Sequence, residues 1–212
     1  MAESAQTLDR GVRVLFALAD SPRGRSVADL AAELELARPI VYRLLSTLEA
    51  HGLARRGGDG GFRIGLAVLD LARRVQPLLR EAALPALRGL AERVGATAHL
   101  TVADGGEALA IAVVEPSWTD LHVAYRVGSR HPLGQGAGGR AILLARAHEP
   151  GGPPWLTSEG ELQAGAHGVA APVQGVPGLE ASIGVVALGD LIPEEVGPHV
   201  VAAAAQLAAT LR

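Results

Sequence analysis

The chain has 212 residues, 49% of them apolar and only 3% aromatic, with a formal net charge of −3. That length admits one large domain or two ordinary ones, with cores built from Ala, Val and Leu. The absence of cysteine excludes disulfides, zinc ribbons and thiol catalysis.

Charge is unevenly distributed. Residues 1–75 carry 11 Arg against 9 acidic side chains, a balance of +2, and the remainder balances at −5. Only the front part is therefore suited to nucleic acid. The N-terminal stretch lacks a basic flank followed by an apolar run, and no apolar run is long enough to span a bilayer. A cytoplasmic protein with no membrane partner is expected.

In chain order, Leu8, Val12, Leu15, Phe16 and Ala19 recur at helical spacing and predict a helix over 8–19 with that stripe inward. Turn residues at 20–24 end it. Ser26, with Asp29 three residues on, is an approximate capping box opening a second helix, whose apolar positions are Val27, Leu30, Ala31 and Leu34. A third helix over 37–51 has Pro39 in its first turn and Gly52 as its stop. Val41, Leu44, Leu45 and Leu48 form its apolar stripe, and Arg38, Tyr42, Arg43 and Ser46 fall on the other side. Two short helices joined tightly behind a third make a helix-turn-helix. β-Prone runs at 53–56 and 62–64, around the glycines of 57–61, add a hairpin and make the motif winged.

That arrangement points to double-stranded DNA. Arg38 and Tyr42, toward the leading end of the third helix beside Pro39, are the candidates for base edges; Arg43 suits a phosphate and Ser46 either role. Arg55, Arg56 and Arg63 flank the wing and suit backbone contacts. The same arginines also read as solvated surface residues, and Tyr42 as a partly buried core residue.

Residues 65–74 predict a further helix, taken with 75 and 76 as a connector. From Pro85 the pattern becomes a helix, strands near 96–102 and 108–114 around a turn at 104–106, and a third strand over 121–127. Glycines at 134–139 open a helix at about 140–147; strands follow near 168–173 and 179–188, and a helix over 193–211 closes the chain. Strands interspersed with helices indicate an α+β domain around a mainly antiparallel sheet.

These pieces, in this order, resemble the IclR family of bacterial transcription regulators. LDRGVRVLFAL resembles the family's opening helix, SVADLAAELELARPIVYRLLSTLEAHGL its helix-turn-helix and GGFRIG its wing. HPLGQGAGGRAILLA, GVAAPV and ASIGVVALGD resemble segments of its effector domain, so the likeness extends over nearly the whole chain. The resemblance implies a winged helix-turn-helix domain at 1–64, a linker helix at 65–76 and a GAF-like α+β effector-binding and oligomerisation domain at 77–212. It further implies a dimer or a dimer of dimers. The chain departs from the family between residues 146 and 167, a short segment rich in Pro, Gly and Ala where relatives carry a longer cover over the effector pocket. In the late strand, Gly184 and Val186 stand where polar residues often help hold a ligand.

Free N–H groups at the start of the glycine-rich helix suit an anion. A small carboxylate effector at Ala137, Gly138, Gly139 and Arg140 follows, with Ala170, Ser182 and Gly184 on the two late strands beside it. Tight turn packing without a ligand reads the same glycines equally well. Residues 134–139 also fit G-x-G-x-x-G, but no parallel strand follows, so a dinucleotide site is rejected. The histidines show no metal-ligand spacing, and no catalytic constellation is present, so no metal, cofactor or catalysis is expected. Three readings remain open: an effector-responsive regulator, a DNA-binding regulator whose second domain only dimerises, and an enzyme using the α+β domain.

Overall fold

The computed structural model describes residues 5–119, 123, 125–147, 151–189 and 191–212. The chain divides into two compact units between residues 75 and 76.

In the first unit, α1 (Gln6–Ala19), α2 (Val27–Glu33) and α3 (Arg38–Ala50) precede a hairpin of β1 (Ala54–Arg56) and β2 (Phe62–Ile64). Ser26 caps α2 in a full capping box: its hydroxyl accepts from the Asp29 N–H, and the Asp29 carboxylate accepts from the Ser26 N–H. Such a cap is worth about 1 kcal/mol. The turn into α3 is tight enough to place Glu35 in the left-handed region, φ 55°. Helix α3 buries Val41, Leu44 and Leu45, with Leu48 packed beside them, as its spacing predicts.

Helix α1 departs from expectation. It buries Val14, Ala17 and Leu18, while Leu8 and Phe16 are 68% and 66% exposed. Its apolar residues form two overlapping stripes, and packing selects the one that begins at Gly11. A Cβ there would lie 3.8 Å from Leu44 of α3, an ordinary van der Waals contact, so this is the stripe that faces α3. The hairpin pairs Arg55 with Arg63, and Arg25 adds a bridge to Phe62 through two backbone bonds of 2.8 Å. Phe62 is thereby fixed in the core.

Helix α4 (Ala67–Val94) replaces both the expected connector over 65–76 and the separate helix after Pro85. Pro77 and Pro85 lie inside it. Each removes a backbone bond, at a cost of about 3 kcal/mol in an isolated helix. Burial of Leu79, Ala83, Ala86, Leu87, Leu90 and Ala91 at helical spacing opposes that cost and carries the helix through Pro85.

The second unit is an α+β fold on a six-stranded antiparallel sheet, order β5-β4-β3-β8-β7-β6. Its strands are β3 (Thr97–Asp104), β4 (Glu107–Val114), β5 (Arg130–Pro132), β6 (Leu156–Glu159), β7 (Ala166–Val173) and β8 (Ala181–Leu188). Strand alternation separates two faces. Ala98, Leu100, Val169, Ala171 and Ile183 join the main core with α4 and α6 (Pro193–Thr210). On the other face, α5 (Gly136–Ala147) lies over Ala170. Helix α5 starts within the glycines, four residues ahead of the expected start. Part of the strand expected over 121–127 lies outside the described residues; Val123 and residues 125–127 form no strand, and β5 takes the sheet edge instead. Strands β5 and β6 are additions to the sequence-based reading. No helix among the described residues is long and apolar enough to cross a membrane.

Candidate nucleic-acid interface and ligand cavity

Burial of one stripe of α3 leaves the opposite face to solvent. Arg38, Pro39, Tyr42, Arg43 and Ser46 are all exposed. Tyr42, at 52%, is no core residue. Arg38, Tyr42 and Ser46 follow one another at intervals of four, so they form one ridge along the helix. The Ser46 hydroxyl donates to the Tyr42 carbonyl at 2.9 Å, which satisfies it within the helix. Among the described residues Arg38 and Arg43 carry no ion pair, leaving two guanidinium forks free for acceptors outside the chain.

The three wing arginines differ in their partners. Arg55 is exposed and, among the described residues, unpaired. Arg56 is exposed and lies over the Phe62 ring, 5.3 Å from its centroid, which orients the side chain without neutralising it. Arg63 is consumed inside the unit. Its Nη1 and Nη2 donate to the Asp59 carboxylate at 3.1 and 2.5 Å, and Nη2 also donates to the Arg23 carbonyl at 2.9 Å. The Arg63 guanidinium and the Gly61 N–H hold the Asp59 carboxyl below its usual range. Arg63 therefore braces the wing tip and, unlike Arg55 and Arg56, holds no unpaired guanidinium toward solvent.

In the second unit a cavity of about 260 Å³ lies on the α5 face of the sheet. Its lining includes His99, Tyr125, His131, Ala137, Gly138, Ser158, Leu162 and Gln163. The His99 and Tyr125 rings pack at 4.9 Å, tilted by 55°. Thr101 Oγ1 lies 3.0 Å from His99 Nδ1. His131 Nδ1–H donates to the Pro132 carbonyl at 3.2 Å, leaving Nε2 to accept a longer bond of 3.4 Å from the Tyr125 hydroxyl. Burial pushes the His99 pKa down to about 4, with the neighbouring His131 adding to the effect. Burial likewise pushes the Tyr125 hydroxyl up. At neutral pH, His99 and Tyr125 face the cavity as uncharged hydrogen-bonding groups.

The expected effector residues are only partly brought together. Ala137 and Gly138 line the cavity. Gly139 instead packs against the chain: a Cβ there would come within 2.5 Å of the Leu133 carbonyl oxygen. Ser182 is buried and donates to the Gly138 carbonyl at 2.9 Å, so it positions the helix start. Gly184 makes room for His99, whose ring would lie 2.8 Å from a Cβ there, and Ala170 packs beneath α5 against Ala137 and Ala141. Arg140 is paired with Glu161, Nη2 to Oε1 at 2.8 Å, and also donates to the Thr157 carbonyl. The Gly136 N–H at the helix start donates to the other Glu161 oxygen at 2.7 Å. The expected anion position is thus filled from within the chain.

His99, Tyr125, His131, Ser158, Leu162 and Gln163 line the cavity in addition to the expected residues. One signal was available: His99 and Thr101 are polar positions alternating with Ala98 and Leu100 in an otherwise apolar strand, and Ser182 repeats the pattern in β8. Among the described residues, no group of three His, Asp or Glu side chains could hold a metal.

Two family models match the chain: the IclR helix-turn-helix domain over residues 7–58 and the bacterial transcriptional regulator IclR C-terminal domain over 74–150. Neither reaches residues 151–212. The chain is 32% identical over 141 residues to the HTH-type transcriptional regulator Rv1719 of Mycobacterium tuberculosis, a match covering 66% of this chain and 54% of that protein. It is 30% identical over 149 residues to the HTH-type transcriptional regulator TtgV of Pseudomonas putida, covering 70% and 57%. The chain thus spans little more than half the length of the curated relatives it matches. Among solved structures, an IclR homolog from Microbacterium hydrocarbonoxydans complexed with 4-hydroxybenzoate shares the fold, with a TM-score of 0.55 at 23% identity over 97% of this chain and 99% of that one.

Proposed function

The chain belongs to the IclR family of transcriptional regulators, and from that premise we propose that it binds a pseudo-palindromic DNA operator as a dimer under control of a small organic-acid effector. The observation that carries the DNA reading is the exposed, unpaired Arg38 and Arg43 on the solvent face of α3, with Arg55 and Arg56 on the wing. An α-helix fits the major groove, where Arg38 suits guanine and Tyr42 an adjacent base edge. Arg43, Arg55 and Arg56 then serve the phosphates, which position the helix without reading sequence. Dimerisation draws support from the apolar side chains that the first unit leaves in solvent. Leu8, Val12 and Phe16 repeat every four residues along α1, and Leu66, Leu69, Leu71 and Val75 lie at and after the start of α4. Two such surfaces from two copies give the two-fold symmetry a palindrome requires.

The effector reading rests on the cavity and its uncharged hydrogen-bonding wall. A ligand changes operator affinity only by binding the two DNA-binding states unequally. A specific, salt-sensitive complex with DNA from near the protein's own gene, relieved or strengthened by a carboxylate ligand, is the test. Indifference to sequence, with equal affinity for a random duplex, would sink the operator claim. A second reading, in which the C-terminal unit serves only self-association, is favoured by Glu161 filling the expected anion position. It predicts no ligand-induced rise in melting temperature across a panel of small acids. The relatives are transcriptional regulators, and an enzymatic role for the α+β unit is set aside.

A further inference from the structure

We propose that Glu161 is an internal competitor for the effector's carboxylate, so that ligand binding and release of the loop over 160–165 are one exchange. This rests on the carboxylate-effector reading and adds what that ligand must displace. Glu161 makes the two contacts a bound carboxylate would make, one to the Gly136 N–H at the start of α5 and one to Arg140. Backbone N–H groups at a helix start and a guanidinium are the donors that carboxylates seek. Here the chain supplies the anion itself.

The loop is built to let go. It joins β6 to β7 with six exposed residues, and Gly160 and Gly165, at its two ends, have φ of +64° and +73°. The next two residues, Leu162 and Gln163, line the cavity. Leu162 also packs on Gly136, where its Cδ1 would lie 2.9 Å from a Cβ. Moving Glu161 therefore moves part of the cavity wall. The hold on Glu161 is also incomplete: Arg140 Nη2 is shared between Glu161 and the Thr157 carbonyl, while Arg140 Nε is buried without a partner. Neither donor lines the cavity itself, but Ala137, next to Gly136, and Leu162, packed on Gly136, both do, so a ligand carboxylate that takes the same donors can extend its body into the cavity. A tethered competitor on a short loop acts at an effective concentration in the millimolar range. Removing its charge should therefore strengthen carboxylate binding by about tenfold or more.

The test uses the full chain, wild type and Glu161→Gln, titrated calorimetrically with acetate, pyruvate, benzoate and 4-hydroxybenzoate, each alongside its primary amide. Tryptophan emission from Trp118 and Trp155 checks that the variant is folded, and Glu161→Asp, with a shorter reach, serves as an intermediate case. The proposal expects E161Q to bind at least one carboxylate about tenfold tighter than wild type, with the matching amide changed less than about twofold. It also expects faster hydrogen exchange over 160–165 in E161Q without any ligand. Equal or weaker carboxylate binding by E161Q overturns it, as does an equal gain for acid and amide, which would signal mere loosening of the wall. Amide binding by both proteins with no acid bound by either overturns the exchange while a ligand-binding cavity stands. Silence from every ligand overturns both the exchange and the effector reading.

Discussion

Acidification should destabilise the second unit through one side chain, His99. It is buried in β3 against Tyr125, and its pKa stands at about 4 against 6.5 for the free side chain. The unfolded chain therefore binds a proton at a pH where the folded one does not. Stability from this group is fully present above pH 6.5 and is lost as pH falls toward 4. The full span converts to about 3 kcal/mol, of which about 2 kcal/mol is gone by about pH 5. Both tryptophans, Trp118 and Trp155, lie in the second unit, so urea titrations followed by their fluorescence report its unfolding without interference from the first. Other groups titrate too, so the informative quantity is a difference. His99→Asn keeps a polar atom near Thr101 and removes the titration. Between about pH 8 and about pH 5 the wild type should lose about 2 kcal/mol more than the variant. Parallel stability curves would refute the assignment of an uncharged His99 to the cavity wall.

Other substitutions probe the remaining parts. Gly184→Ala drives a Cβ to within 2.8 Å of the His99 ring and 2.9 Å of the Ala170 Cβ; it should cost about 1–3 kcal/mol in the same urea assay and distort the cavity. Leu45→Ala empties a fully buried site in the winged helix and should destabilise that unit by about 2–5 kcal/mol, seen as early loss of helical circular dichroism with the tryptophan transition unchanged. Asp59→Asn removes the charge that ties up Arg63. It should raise affinity for any duplex and steepen its salt dependence, measured by fluorescence anisotropy; an unchanged salt slope would show that Arg63 cannot reach a phosphate.

What was legible in the sequence depended on how many solutions each segment allowed. Helix α3 has one apolar stripe, so Val41, Leu44 and Leu45 and the opposite polar face could be assigned directly. Helix α1 has two, and packing into the core of the unit, not local spacing, buries the one with Val14, Ala17 and Leu18. Pro77 suggested a break in α4 that burial of the residues beyond it overrides. Strand β6, reading Leu-Thr-Ser-Glu, is a short, half-exposed edge strand whose register exists only by pairing with β7. The cavity was the hardest case. His99, Tyr125, His131 and Leu162 come from four separated segments, and no local spacing announces their meeting. Glu161 carries no sequence signal for the same reason: its partners, Gly136 and Arg140, are 25 and 21 positions away in the chain. Only the fold, which sets the 160–165 loop beside α5, brings them together.

In the proposed complex, α3 reads DNA sequence through its exposed face while the wing holds the backbone. Fluorescence anisotropy with an operator duplex and a scrambled duplex, at several salt concentrations, tests it most directly when wild type, Arg38→Ala and Arg55→Ala are compared. Arg38→Ala should narrow the gap between operator and scrambled DNA by about 1–3 kcal/mol. Arg55→Ala should weaken both complexes alike and lower the salt slope by about one. If both variants discriminate and respond to salt as the wild type does, α3 and the wing are not the reading surface.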